Sequence, residues 1–226
     1  MKKIVISIGG SVITNPLTRE NFRKYANIIK KISKNNKVFV VVGGGKICRK
    51  YQSLVKAPKK DLDYIGILTT HLNAKTFSCF INKSFYVSLK SEKEVLKEVV
   101  RNLKKYNVFV LGGYETGHST DYDAVIVAKA VKADLIINVS NVDYVYDKDP
   151  KICKDAKKFE KISFIELVKI VRKLPQKPGK YKLFDLKAAK ILEKIKIKTV
   201  FVGRKPENII KAIKGEKVGT IISDYV

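Results

Sequence analysis

The sequence predicts an α/β protein built on a largely parallel sheet with helices on both faces. Three observations lead there. Short runs rich in β-branched residues recur along the chain, they are apolar throughout rather than alternating, and stretches of helical spacing lie between several of them. A strand that is apolar at every position needs cover on both sides, which a one-sided antiparallel sheet does not provide.

In chain order, Ile4 to Ile8 is the first such run, and it ends directly in Gly9-Gly10-Ser11. Glu20 to Ser33 has helical spacing. Val38 to Val42 is a second strand, emptying into Gly43-Gly44-Gly45 and then the cations Lys46, Arg49 and Lys50. One glycine is enough for a turn, so three followed by positive charge suggest that something other than protein approaches this backbone. Glu92 to Lys105 reads as a helix and Val108 to Leu111 as a strand that ends in Gly112-Gly113. Asp121 to Lys132 is helical, with Ser119, Thr120 and Asp121 as good N-cap residues, although Glu115, His118 and Asp121 beside two glycines exceed what a cap requires. Leu135 to Val139 is a strand. It leads into VSNVDYVYDKDP, residues 139 to 150, which reads equally as an acidic, tyrosine-stiffened turn or as a nucleoside site with carboxylates for ribose hydroxyls and an aromatic face for a base. Helical spacing at Ser163 to Lys173 and Asp185 to Lys194 precedes a last strand, Thr199 to Val202, which runs into Gly203.

Four strands therefore end in glycine turns. In an open parallel sheet, ligands sit at the carboxyl ends of strands, where strand-to-helix turns present backbone N–H groups, and phosphate is the expected ligand. None of the turns has the P-loop or the dinucleotide glycine spacing.

Composition narrows the function classes. The chain has 226 residues, 45% hydrophobic and 9% aromatic, ordinary for a folded protein and too apolar for a disordered one. No apolar run reaches bilayer length, and the one near the N-terminus is too short for a secretory signal, so a cytoplasmic protein without membrane association is expected. Cys48, Cys79 and Cys153 fit neither a disulfide framework nor a zinc site. The formal charge of +26 raises nucleic acid as a partner. Its lysines, however, are spread through nearly every segment with no aromatic-interleaved patch, which favours an anionic small substrate or a heat-adapted surface over nucleic acid.

Taken together, I-G-G-S, V-V-G-G-G-K-x-x-R, D-x-I-G-I, G-G-x-x-x-G-H-x-T-D, N-V-D-x-V-Y-x-x-D-P and a final K-G-E-x-x-G-T-I-I resemble the amino-acid kinase superfamily, and within it the archaeal uridylate (UMP) kinases. The resemblance runs from Lys3 to Ile222 in one order. It implies a single three-layer α/β/α sandwich spanning 1–226, with an acceptor (UMP) half at about 1–110 and an ATP half at about 111–226. It also implies hexamer assembly, ATP as phosphoryl donor with Mg²⁺, and UMP as acceptor in pyrimidine biosynthesis. Other superfamily kinases, acting on a small acid or isopentenyl phosphate, and a non-catalytic nucleotide-sensing relative are the alternatives.

In-line phosphoryl transfer asks mainly for donors that hold two polyanions together and absorb developing charge. By resemblance, Gly9 and Gly10 cradle the ATP phosphates, Gly44 lies against UMP, and Gly45 with Arg49 sits where the phosphates meet. A guanidinium fork suits that bridging place. Asp63 is implied on the ribose of UMP. By the same resemblance, Tyr114, Glu115, Thr116, Gly117, His118, Ser119 and Thr120 would form the loop around uridine and its phosphate, where backbone groups with Ser119 and Thr120 can read the Watson–Crick edge of the base, and Asp121 would organise the cationic groups. Ser140, Asn141, Asp143, Tyr146 and Asp149 match the adenosine loop. No protein ligand set for a metal is implied.

The chain departs from the family at several points. Ser7 stands where a lysine is usual, and Gly179 to Asp185 reads G-K-Y-K-L-F-D, leaving Lys182, or else Lys180, to supply a phosphate-binding charge. His71 replaces a common arginine in T-H-L-N-A. Tyr144 replaces a glycine, so a positive φ at that position would strain the loop.

Overall fold

The computed structural model describes residues 1–174 and 183–224. Its strands are β1 (Lys2–Ile8), β2 (Asn36–Val42), β3 (Ser84–Val87), β4 (Val108–Leu111), β5 (Leu135–Val139), β6 (Val145–Tyr146), β7 (Lys158–Phe159), β8 (Lys161–Ile162), β9 (Thr199–Val202) and β10 (Thr220–Ile222). Its helices are α1 (Gly10–Ile13), α2 (Arg19–Ile32), α3 (Gly45–Gln52), α4 (Lys59–Ser78), α5 (Glu92–Asn102), α6 (Thr120–Val131), α7 (Phe164–Lys173), α8 (Leu186–Ile195) and α9 (Glu207–Lys214).

Eight strands form one sheet in the order β3-β4-β2-β1-β5-β9-β10-β8. The pairs from β3 to β9 are parallel; β10 runs antiparallel to β9, and β8 is parallel to β10. β6 and β7 make a separate antiparallel pair. The two-residue period of a strand divides the core between the faces of the sheet. Ile4, Ile6 and Ile8 pack with Phe22 and Ile29 of α2, Phe77 of α4 and Ile209 of α9. Val5, Phe39 and Val41 pack with residues of α5, α6, α7 and α8. The expected α/β/α sandwich is thus borne out, and the five strands read from sequence are all present.

The register fixes where the turns lie. Ile8 pairs with both Val42 and Val139, Val41 with Leu111, and Val139 with Val202. All four glycine turns therefore leave the same rim of the sheet.

Two elements that position this rim escape the periodicity reading. Helix α4 is twenty residues long, yet its buried positions include Thr69, Thr70, His71 and Asn73, so it carries no continuous apolar stripe. Helix α3 buries none of its residues.

Candidate active site

The glycine turns after β1 and β2 pack directly on one another. A Cβ on Gly10 would overlap the backbone nitrogen of Gly45, and one on Gly43 would meet the backbone of Gly10. Gly45 has φ +72°, a conformation that glycine adopts without cost. This corrects the expectation that an outside ligand is what needs the glycines: at Gly10, Gly43 and Gly45, the close neighbour is protein backbone. The turn of β2 is also held from α4, where Asn73 Nδ2 donates to the carbonyls of Gly43 (2.9 Å) and Gly44 (3.2 Å).

Helix α4 grips the turn after β4 in the same way. The Gly113 amide donates to Thr70 Oγ1 at 2.8 Å, and that hydroxyl donates to Ile67 O at 2.6 Å. His71 is 8% exposed, with Nε2 2.8 Å from Gly113 O and Nδ1 2.7 Å from Tyr86 Oη. A carbonyl only accepts, so Nε2 carries the proton and Nδ1 accepts from the tyrosine hydroxyl. Burial lowers the His71 pKa, opposed by its bond to Gly113. His71 is thus a neutral clasp on the turn.

Two cavities open along this rim. One, of about 240 Å³, is lined by Gly44, Asp63, Glu115, His118, Ser119 and Thr120, expected on the acceptor side, by Gly45 and Arg49, expected with ATP where the phosphates meet, and by Cys48, Gln52, Thr70 and Asp123, which sequence reasoning missed. The second, of about 170 Å³, is lined by Gly9, Gly10, Ser11, Asp121, Asn138, Ser140 and Asn141 among others. They meet where Arg49 Nη2 lies 3.4 Å from Ser11 Oγ.

Asp121 stands at the second cavity with its Oδ1 accepting from Ser7 Oγ (3.0 Å) and from Asn138 Nδ2 (2.8 Å). Ser7, on β1, thus holds an acid of α6 from below. Asp63 Oδ2 accepts from the Gly117 amide at 3.1 Å, joining α4 to the loop before α6. Ser119 is the N-cap of α6, its hydroxyl accepting from the Tyr122 amide. His118 stacks on Tyr122 with centroids 4.0 Å apart.

Other expected residues lie apart from both cavities. Tyr114 turns into the core, its hydroxyl donating to Asp123 O at 3.3 Å, so the loop presents only its backbone there. Thr116 and Gly117 line neither cavity. Asp143 packs against Gly203, Tyr146 belongs to β6, and Asp149 accepts from the Lys151 amide in a turn. None of these three lines the second cavity, and neither does Gly203. Tyr144 is not among the residues of positive φ, and Lys158 Nζ sits 4.9 Å from the centre of its ring. Lys180 and Lys182 lie outside the described residues.

Glu92, Glu115 and His118 bring ligating atoms within 4.8 Å of one another, the spacing a cation needs. Glu115 and His118 belong to the first cavity, and none of the three lines the second.

Comparison with known proteins agrees with this architecture. The family model described as "Amino acid kinase family" matches residues 2–203. A uridylate kinase of Archaeoglobus fulgidus is 42% identical over 224 residues, covering 98% of this chain and all of that one. One from Methanobrevibacter smithii is 36% identical over 222 residues, covering 96% and 97%. The crystal structure of the Archaeoglobus enzyme superposes with a TM-score of 0.87 over 99% of this chain and 100% of that one. On this similarity, which runs nearly end to end, the chain belongs to the amino acid kinase family.

Proposed function

We infer that this chain is a uridylate kinase, transferring the γ-phosphoryl group of ATP to UMP. The observation that carries the reading is the pair of cavities on one rim of the sheet, joined at Arg49 and Ser11. Its full-length relatives named uridylate kinase support the choice of acceptor.

In this reading UMP occupies the cavity with Asp63 and Arg49, and ATP the cavity with Gly9, Gly10, Ser140 and Asn141. The expected division into an acceptor half at about 1–110 and a donor half beyond it holds only loosely in this reading, because Glu115, His118, Ser119, Thr120 and Asp123 line the acceptor cavity while Gly9, Gly10 and Ser11 line the donor cavity. The phosphates meet beneath Arg49, whose planar fork can bond oxygens of both and so offset their repulsion. The α3 and α6 N-termini at Gly45 and Thr120 add backbone donors on the acceptor side. Asp121, held by Ser7 and Asn138, orients the cations near the transferred group. The attacking group is already an anionic phosphate oxygen, so the protein's task is alignment and charge stabilisation.

Mg²⁺ is proposed to arrive with ATP. Among the described residues the donor cavity offers one carboxylate, Asp121, which already accepts hydrogen bonds from Ser7 and Asn138. A hard cation coordinated mainly by phosphate oxygens and water fits that sparse set better than a resident ion would. Bound there, it would neutralise part of the phosphate charge.

Among the described residues, no helix is long and apolar enough to cross a membrane. A cytoplasmic role in pyrimidine nucleotide synthesis follows from the proposed reaction. Assembly into a homo-oligomer, a hexamer by family resemblance, is supported by exposed apolar side chains on α3 and α4: Tyr51, Tyr64, Leu68 and Leu72, with Leu54 and Val55 following α3. The test is ADP release with a panel of acceptors: UMP, CMP, AMP, acetylglutamate and isopentenyl phosphate. Strong preference for UMP is expected; turnover of another acceptor in its place would overturn the assignment.

A further inference from the structure

Asp123 lies in the first turn of α6, is 1% exposed, and its Oδ1 has no hydrogen-bond partner among the described residues. Buried carboxyl oxygens are nearly always bonded, so a group left in this state calls for a partner from outside the fold. Its surroundings point to the source. Asp123 forms part of the wall of the acceptor cavity beside Gly113, Thr70 and Ile67. A Cβ on Gly113 would come within 3.1 Å of Asp123 Oδ2, so glycine there leaves room for the carboxyl, and the nearby Thr70 hydroxyl is already committed to the Gly113 amide and Ile67 O.

We propose that the Asp123 carboxyl reads the imide edge of the acceptor's pyrimidine base. The inference rests on UMP being the acceptor. A carboxylic acid carries an O–H donor and a C=O acceptor side by side. Uracil carries a carbonyl beside N3–H, so N3–H donates to the carboxyl carbonyl while the acid O–H donates to the uracil oxygen.

The electrostatics favour the protonated form that this pairing uses. Burial pushes the Asp123 pKa well above the usual carboxylate range, helped by Glu92 of α5, Asp121 of its own helix, Asp185 at the start of α8 and Glu115 of the preceding loop. Arg49 and Cys48 of α3, Asp63 of α4 and His118 line the same cavity, and His71 of α4 holds its Gly113 wall. Arg49 is the cation among the described lining residues, and the reading puts a UMP phosphate against it.

The experiment compares wild type, Asp123→Asn and Asp123→Val between pH 6.5 and 8.5, by steady-state kinetics and by calorimetric titration with UMP. Valine has no polar atoms, and KM for UMP is expected to rise about ten- to hundred-fold with KM for ATP unchanged. Asparagine keeps one donor and one acceptor and is expected to hold UMP within a few-fold of wild type. Wild-type UMP affinity is expected to fall at alkaline pH relative to Asp123→Asn, which has no proton to lose. Wild-type UMP affinity in Asp123→Val overturns the proposal. If the valine variant does not fold, parallel pH profiles for wild type and Asp123→Asn overturn it. Intact UMP binding without turnover by wild type would instead remove the kinase reading and leave base recognition standing.

Discussion

Arg49 and Ser11 touch across the junction of two cavities, guanidinium nitrogen to hydroxyl oxygen at 3.4 Å. The contact joins the N-terminal helix of one glycine turn to the neighbouring turn, and it leaves the cation able to reach phosphates on either side. Arg49→Ala is expected to lower kcat about 10³-fold or more, the range seen when a charge-stabilising arginine is lost in phosphoryl transfer. The helix carrying Arg49 buries no residue, so unfolding behaviour should be unchanged. Near-normal turnover in this variant would rule out the bridging role.

Asp121 separates geometry from charge. Its Oδ1 accepts from Ser7 and Asn138, and the carbonyl oxygen of asparagine can accept the same two bonds. Asp121→Asn should therefore fold normally while kcat falls about 100-fold, the scale of losing one well-placed charge. Ser7→Ala removes one of the donors and should cost about 1 kcal/mol, with less than a ten-fold loss of kcat. If Asp121→Asn retains full kcat, the acid serves the helix and not the reaction.

The uneven legibility of the sequence has a physical basis. Strands such as Val38 to Val42 announce themselves because both faces are buried and every residue is apolar. Helix α4 stays hidden because the side chains it turns inward, Thr70, His71 and Asn73, bond to glycine turns instead of filling a greasy stripe. The rim glycines were visible, but their partners were not: which backbone lies against Gly10 depends on pairing of β1 with β2, a contact between distant residues. Asp123 carries no signal of its own in the sequence, because nothing in S-T-D-Y-D distinguishes an acid that faces solvent from one that faces the core.

His71 predicts an acid-sensitive fold. Its folded pKa is depressed by burial from the usual value near 6.5, so the folded state holds it neutral while the unfolded chain takes up a proton. The stability it confers is complete above about 6.5 and is lost as pH falls from there through the depressed folded value. Urea midpoints measured from pH 8 to pH 5 should fall more steeply for wild type than for His71→Gln. Glutamine can donate to Gly113 O and accept from Tyr86 without titrating. Identical slopes for the two chains would exclude His71 as the source.

The packing of the two glycine turns makes a prediction independent of any ligand. A methyl group on Gly10 would overlap the Gly45 nitrogen, and one on Gly45 would overlap the Gly10 carbonyl and force an alanine into positive φ. Neither neighbour is a side chain that can swing aside; both are backbone held by strand pairing of β1 with β2 and, on the Gly43–Gly44 side, by Asn73. Gly10→Ala and Gly45→Ala should each destabilise the apoprotein by roughly 2–4 kcal/mol, measured by denaturant unfolding without nucleotide. Gly9→Ala provides the contrast, because its added carbon would meet Val139 O at 3.1 Å, a tight contact that a shift of a few tenths of an ångström relieves. It should unfold closer to wild type. Were Gly10→Ala as stable as wild type and impaired only in nucleotide binding, ligand approach and not turn packing would be what demands glycine at this rim.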